Sequence, residues 1–331
     1  MLYNMNNQKF SQSMQFSVLL LYFLLARGLS TQPTLFQQNY QAFSDAKHAV
    51  LLAGGQQVQL VLDQQAAAGF GSKSKYLFGN TGMCIKLVPG YSAGTVTSFY
   101  LSSDGATHDE LDFEFLGNVT GQPYILQTNV YAHGVGNREQ RIYLWFDPTA
   151  DFHCYSVNWN QNYVLFMVDN IPIRIFKNNQ NLGVPYLNSQ PMAVYSSLWD
   201  GSQWATDGGR IKIDWQYAPF IATYQGFNIN GCLVQNNNIA SCSSSQWAQA
   251  PAVTWHQTNQ LKWVRGRYLI YNYCTDKARY PTAPPECATN ILLQRRRIKL
   301  EIGGHRAKYK RELEYKDANN VSNNVNKVVN L

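Results

Sequence analysis

From about residue 34 to 224 the chain runs in short apolar stretches, each closed by a turn signal. QVQLVLD (57–63), CIKLVPG (84–90), TVTSFYL (95–101), QRIYLWF (140–146), YSVNW (155–159) and YVLFMVD (163–169) are rich in β-branched and aromatic residues. Gly54-Gly55, Gly69, Gly71, Pro89-Gly90, Asp104-Gly105, Gly121, Asp169-Asn170 and Gly208-Gly209 punctuate them. Many short strands at that spacing predict an all-β sandwich or barrel. A 3.6-residue period is scarce until WHQTNQLKWVRGRYLIYNYC (255–274), where Trp255, Leu261, Trp263, Val264 and Tyr268 fit one amphipathic helix. The expected organisation is a signal peptide over 1–30, a β-sandwich domain over 31–224 and an extension over 225–290 packed on the sandwich. A polar, Asn-rich tail over 291–331 is expected to be disordered.

Charge changes this picture only through its location. The formal net charge is +7, but residues 288–331 carry ten Lys/Arg against four Asp/Glu, and residues 1–30 carry Lys9 and Arg27 with no acid. The body from 31 to 287 holds 15 basic and 16 acidic residues, so it lacks the clustered positive surface that reads nucleic acid. The apolar run FSVLLLYFLL (16–25) is too short for a bilayer core that needs about 20 residues. It fits the h-region of a secretory signal cleaved after Ser30, with an uncleaved anchor as the alternative. A soluble, secreted product without integral membrane association is expected.

Six cysteines agree with export. Cys232 and Cys242 flank a polar loop, and Cys274 and Cys287 flank a stretch with Pro281, Pro284 and Pro285. Closely spaced pairs in an oxidising compartment predict the bridges Cys232–Cys242 and Cys274–Cys287. Cys84 and Cys154 stand alone in apolar runs and are expected as buried free thiols, with a third bridge between them as the alternative. No CxxC or His-rich cluster suggests a metal site, and no metal is expected.

The chemistry concentrates in His108-Asp109-Glu110-Leu111-Asp112-Phe113-Glu114-Phe115. In a strand alternate side chains share a face, so Glu110, Asp112 and Glu114 line one surface while Leu111, Phe113 and Phe115 enter the core. Three adjacent carboxylates disfavour one another's ionisation and raise at least one pKa. A merely solvated face would mix in Lys, Thr or Ser. Retaining glycoside cleavage needs one carboxylate as nucleophile and a second, protonated, as acid, about 5–5.5 Å apart. Cα atoms at i and i+4 lie ~13 Å apart in a strand, a gap that two leaning Glu side chains can close. Asp112 between them is able to hydrogen-bond one Glu and separate the two pKa values.

HDELDFEFLGN (108–118) is similar to the signature of the plant xyloglucan endotransglucosylase/hydrolases of glycoside hydrolase family 16. NREQRIYLWFDPT (137–149), LFMVDNIPIRIFKNN (165–179), GVPY (183–186), YSSLWDGSQWAT (195–206) and YLIYNYCTDKARYPTAPPEC (268–287) match that family in order. The resemblance covers roughly 34–287. It implies a concanavalin-like β-jelly-roll sandwich with a concave substrate cleft and a small disulfide-stapled C-terminal extension containing a helix. It implies Glu110 as nucleophile, Asp112 as helper and Glu114 as acid/base, with no cofactor. Sugar binding is implied for Gln127, Thr128 and Asn129, for Asn137, Arg138 and Glu139, and for Trp199 and Trp204 with Ala205 and Gly209 beside them. Tyr271 and Arg279 resemble the acceptor side. Asn118 opens the glycosylation sequon Asn118-Val119-Thr120, and Asn320 opens a second in the tail. Trp145, Trp159 and Trp215, in strand-like runs, are expected to pack in the core.

Three departures stand out. Leu111 replaces the commoner Ile, Asp207 stands where Arg or Gln is usual, and the loop from Ser243 to Thr254 is short. The 44 residues after Cys287 resemble nothing in the family. The expected activity is retaining, endo-acting cleavage of the xyloglucan β-1,4-glucan backbone and transfer to another xyloglucan chain, by a monomer in the cell wall or apoplast. Xyloglucan would be both donor and acceptor. A mainly hydrolytic endo-xyloglucanase and a lectin-like binding module are the alternatives; the intact acid row argues against the second of these.

Overall fold

The computed structural model describes residues 33–288, except 237, 250 and 251. The expected signal peptide, the tail over 291–331 and its Asn320 sequon lie outside the described residues. Sixteen strands occur among the described residues: β1 (Tyr40–Ala42), β2 (Ala49–Leu52), β3 (Gln57–Leu62), β4 (Ala68–Ser72), β5 (Tyr76–Lys86), β6 (Thr95–Ser102), β7 (Glu110–Leu116) and β8 (Ile125–Tyr131), then β9 (Gln140–Tyr143), β10 (His153–Trp159), β11 (Tyr163–Val168), β12 (Ile171–Lys177), β13 (Ala193–Asp200), β14 (Phe220–Gln225), β15 (Ile229–Leu233) and β16 (Leu269–Asn272). In β3 the alternation read from QVQLVL is realised: Val58, Leu60 and Leu62 are buried and the residues between them are half-buried.

The strands form two antiparallel sheets. The first runs β1-β4-β13-β6-β7-β8-β9-β16, and the second runs β12-β11-β10-β5-β14-β3-β2 with β15 on β5. Between them lies a core whose largest members are aromatic. Phe113 of β7 meets Phe166 of β11 at 5.2 Å, Phe115 meets Tyr155 of β10 at 4.5 Å, and Phe70 of β4 meets Tyr224 of β14 at 5.3 Å. Each fully buried Phe contributes about 1.5–3 kcal/mol relative to exposure, so the aromatic teeth of β7 lock the acid-bearing strand into the middle of its sheet. Trp159 is buried and donates Nε1–H to the Leu187 carbonyl (2.8 Å); Trp145 and Trp215 are partly buried, against Trp263 and Phe220.

The C-terminal part is more than an appendage laid on a finished sandwich. β15 pairs with β5 in the second sheet, and β16 pairs with β9 at the edge of the first. Between them the helix α1 (Trp255–Arg267) starts at Thr254, whose hydroxyl accepts from the Gln257 N–H. It buries Leu261 and Val264, while Trp255 is 80% exposed. The sequence pattern ran the helix on through Tyr268; instead the chain turns there and LIYN becomes β16, because β9 offers an open edge. The end of the predicted sandwich at 224 falls one residue short of the end of β14.

All six cysteines are paired: Cys84–Cys154, Cys232–Cys242 and Cys274–Cys287. The expectation of free thiols at 84 and 154 is therefore corrected. The two lie directly opposite on β5 and β10, a pairing that sequence separation hides.

Candidate active site

β7 is the fifth strand of the first sheet, and its register fixes what stands beside each acid. Leu111, Phe113 and Phe115 are fully buried, so Glu110, Asp112 and Glu114 point to the opposite, open face. Directly across the sheet Glu110 faces Ser102 and Tyr131, Asp112 faces Tyr100 and Asn129, and Glu114 faces Ser98 and Gln127. Glu110 keeps 22% of its side chain exposed, with His108 Nε2 3.8 Å from its Oε2. The His108 ring stacks on Tyr131 at 5.3 Å.

Asp112 is buried between the two glutamates. Burial, followed by the charges of Glu110 and Glu114, holds its carboxyl well above the ordinary range; its hydrogen bond to Glu110 adds to this and the Arg174 cation opposes it. That hydrogen bond ties the Asp112 carboxyl to Glu110 and favours its protonated form. Glu114 is also raised, mainly by burial and then by Glu110, against the hydrogen bond from Gln127. Gln127 Nε2 donates to Glu114 Oε2 (2.7 Å), and Arg141 Nε donates to Gln127 Oε1 (2.7 Å). Arg141 in turn lies over the Tyr271 ring at 5.6 Å. One edge-to-centre relay thus connects β16 to the acid on β7.

The other expected residues separate by face. Thr128 pairs with Phe113 and points inward, where its hydroxyl and carbonyl accept from Arg174 Nη1 at 2.9 and 2.8 Å. Asn129 stands on the open side of β8 but is buried, its Oδ1 accepting from the Val130 and Arg138 N–H groups. Arg138 is interior: Nε donates to Glu286 Oε1 (2.8 Å) and Nη1 to the carbonyls of Val130 and Val135. Its placement beside Glu286 makes it a tie between the sandwich and the C-terminal segment.

Asn137, Glu139, Tyr271 and Arg279 gather past the β16 edge. Arg279 Nη1 donates to Glu139 Oε2 (2.8 Å) and Nη2 to Asn137 Oδ1, while the Tyr271 hydroxyl donates to Asp276 Oδ2 (2.9 Å). The Glu139 hydrogen bond raises the Arg279 pKa further. Trp199 and Trp204 tilt toward each other at 6.3 Å and pack with Val96, Leu116 and Ala205 on the open face. Gly209 explains itself: its φ is +83°, and a Cβ would sit 2.1 Å from the Gln203 carbonyl beside Trp204. Thr206 pins this loop to the catalytic strand's end, donating to the Gly117 carbonyl and accepting from the Gly94 N–H, both at 2.7 Å. Asp207, the departure from the family pattern, has φ +51° and pairs with Arg210. Asn118 sits at the end of this region, its Nδ2 donating to the Pro123 carbonyl (3.0 Å).

His108 and Arg141 are the functional candidates that sequence reasoning passed over. Arg141 had a signal, since it lies two residues beyond Glu139 in the same motif.

Residues 36–217 match glycosyl hydrolases family 16, and residues 241–287 match the xyloglucan endo-transglycosylase (XET) C-terminus. Xyloglucan endotransglucosylase protein 6 of Diospyros kaki is 51% identical, over 83% of this chain and 95% of its own. Xyloglucan endotransglucosylase protein 34 of Populus tremula x Populus tremuloides is 54% identical over 76% and 87%. Probable xyloglucan endotransglucosylase/hydrolase protein 5 of Arabidopsis thaliana is 53% identical over the same shares. With three acids on one strand of a two-sheet β-sandwich, and with the family model matched over more than half of its length, this chain belongs to glycosyl hydrolase family 16, among the members that carry the XET C-terminal region.

Proposed function

We propose that this protein cleaves the β-1,4-glucan backbone of xyloglucan with retention and passes the cut chain to a second xyloglucan, in the plant cell wall. The observation that carries this reading is the buried Asp112 flanked by Glu110 and Glu114 on one open strand face, with the carboxyls of Asp112 and Glu114 both shifted toward the protonated form by burial.

Glu110, as carboxylate, attacks the anomeric carbon. Glu114, whose burial makes its carboxyl hold a proton more tightly than a free one, gives its proton to the departing glycosidic oxygen. The C–O bond to the leaving chain breaks as the ester to Glu110 forms. The acceptor's 4-hydroxyl then attacks the same carbon while Glu114, now a carboxylate, takes its proton, and the ester bond breaks. Asp112, hydrogen-bonded to Glu110, orients the nucleophile, and its raised pKa keeps a second negative charge from building up beside it.

Transfer wins over hydrolysis only if the acceptor is held with an effective molarity far above that of solvent, and well-oriented partners reach ~10⁵ M or more. Arg279, already fixed by Glu139 and Asn137, together with Tyr271 offers such a grip past the β16 edge. The test is to incubate the secreted protein with xyloglucan and a labelled xyloglucan oligosaccharide, following polymer size and label together. Label entering the polymer without new reducing ends supports transfer. Reducing ends appearing at the rate of cleavage would replace transfer by hydrolysis, and an unchanged polymer would overturn the reading.

A further inference from the structure

The sheet that carries the acids has two unlike halves. From β7 toward β16 its open face is polar and charged, through Gln127, Arg141 and Tyr271 to Arg279. From β7 toward β1 the corresponding rows hold no charged side chain. Asp112 is followed by Tyr100, Tyr195 and Gly71; Glu114 is followed by Ser98, Ser197 and Gly69.

Phe43 closes that half. Its N–H donates to the Gly69 carbonyl (2.9 Å), which puts it on the edge beyond β1, and its side chain is 61% exposed. The ring lies down over the sheet rather than standing off it. A Cβ at Gly71 would come within 2.5 Å of Phe43 Cζ and 2.7 Å of Tyr195 Cδ1, so only glycine leaves room for the two rings. Phe43 and Tyr195 have ring centres 6.0 Å apart, and Tyr195 stacks on Tyr100 at 5.2 Å with 25° between planes. Three rings thus run in line from the buried acid to the sheet edge, with the small residues Ser98, Ser197 and Gly69 beside them.

An exposed apolar ring at the end of a cleft is costly in water and gains when covered. The negative face of an aromatic ring attracts the polarised C–H groups on the flat side of a pyranose, while an uncharged row offers nothing to an acidic polymer. Relying on the glucan-transfer reading above, we infer that Phe43, with Tyr195 and Tyr100, forms an outer donor-side platform for neutral β-glucan units remote from the scissile bond. It lies at the sheet edge opposite Arg279, so the retained part of the donor and the incoming acceptor occupy opposite halves.

The inference is tested by binding β-glucan oligosaccharides of increasing length to the full chain carrying Glu110→Gln, by calorimetry. The same series is run with Phe43→Ala and with Phe43→Tyr added. Loss of one aromatic contact predicts that the long-to-short affinity ratio falls about fivefold in the Ala variant and is restored in the Tyr variant. An unchanged ratio, or an equal fall in both variants, overturns the platform. Failure of the underlying reading has a different signature: no β-glucan of any length would be bound, or cleaved by the wild-type chain, and both conclusions would fall together.

Discussion

Asp112 lies between the two glutamates with its pKa raised, and replacing it separates its hydrogen bond from its charge. Asp112→Asn keeps a donor of the same size, whereas Asp112→Ala removes it. A hydrogen bond to a charged acceptor contributes about 1.5–3 kcal/mol, so the Ala variant should lose about 10- to 150-fold in kcat/KM for labelled transfer. The Asn variant should lose less than ~10-fold, the reorientation cost of an amide in a carboxyl's place. Stability gives an independent readout. The native Asp112 pKa is raised, chiefly by burial, so the native state holds its proton more tightly than the unfolded chain does. Its contribution is then fully present below the unfolded pKa of about 4 and is lost as pH rises toward the native value. The loss is at most about 1.4 kcal/mol per pH unit. Asp112→Asn removes that slope, so its Tm relative to wild type should climb steadily from pH 4 upward. An Asn variant as inactive as the Ala variant, or a Tm difference that stays flat with pH, would refute this role for Asp112.

Glu110→Gln should abolish covalent trapping of sugar and nearly all turnover, while Glu114→Gln should still glycosylate slowly from donors with good leaving groups; trapping followed by mass measurement separates them. Arg279→Ala should lower transfer more than donor cleavage, shifting product toward free reducing ends, and an unchanged ratio would place the acceptor grip elsewhere. Arg138→Ala removes one partner of the buried Arg138–Glu286 ion pair and should cost about 3–5 kcal/mol, read as a large fall in Tm, with KM unchanged in whatever fraction remains folded. Cys274→Ser with Cys287→Ser opens a short loop and should cost about 3 kcal/mol, measured by thermal unfolding with and without the pair.

Local pattern by itself determined a good deal. The two-residue period of Glu110, Asp112 and Glu114 against Leu111, Phe113 and Phe115 settles which side chains share a face, because a strand has no other choice. The same period, applied to Gln127, Thr128 and Asn129, excludes Thr128 from the open face; a motif read as a block hides that, and the structure turns Thr128 inward to Arg174. Long-range pairing decided the rest. Cys84 meets Cys154 only because β5 and β10 lie side by side, and LIYN leaves the helical pattern only because β9 presents a free edge to it. Arg138 carries a polar side chain in a family motif, yet Glu286, 148 residues away, draws it inside. Phe43, Tyr195 and Tyr100 come from three separate stretches, each unremarkable alone. They become a surface only when β1, β4, β13 and β6 are laid in register, because a sheet face is assembled from strands whose neighbours the chain order does not name.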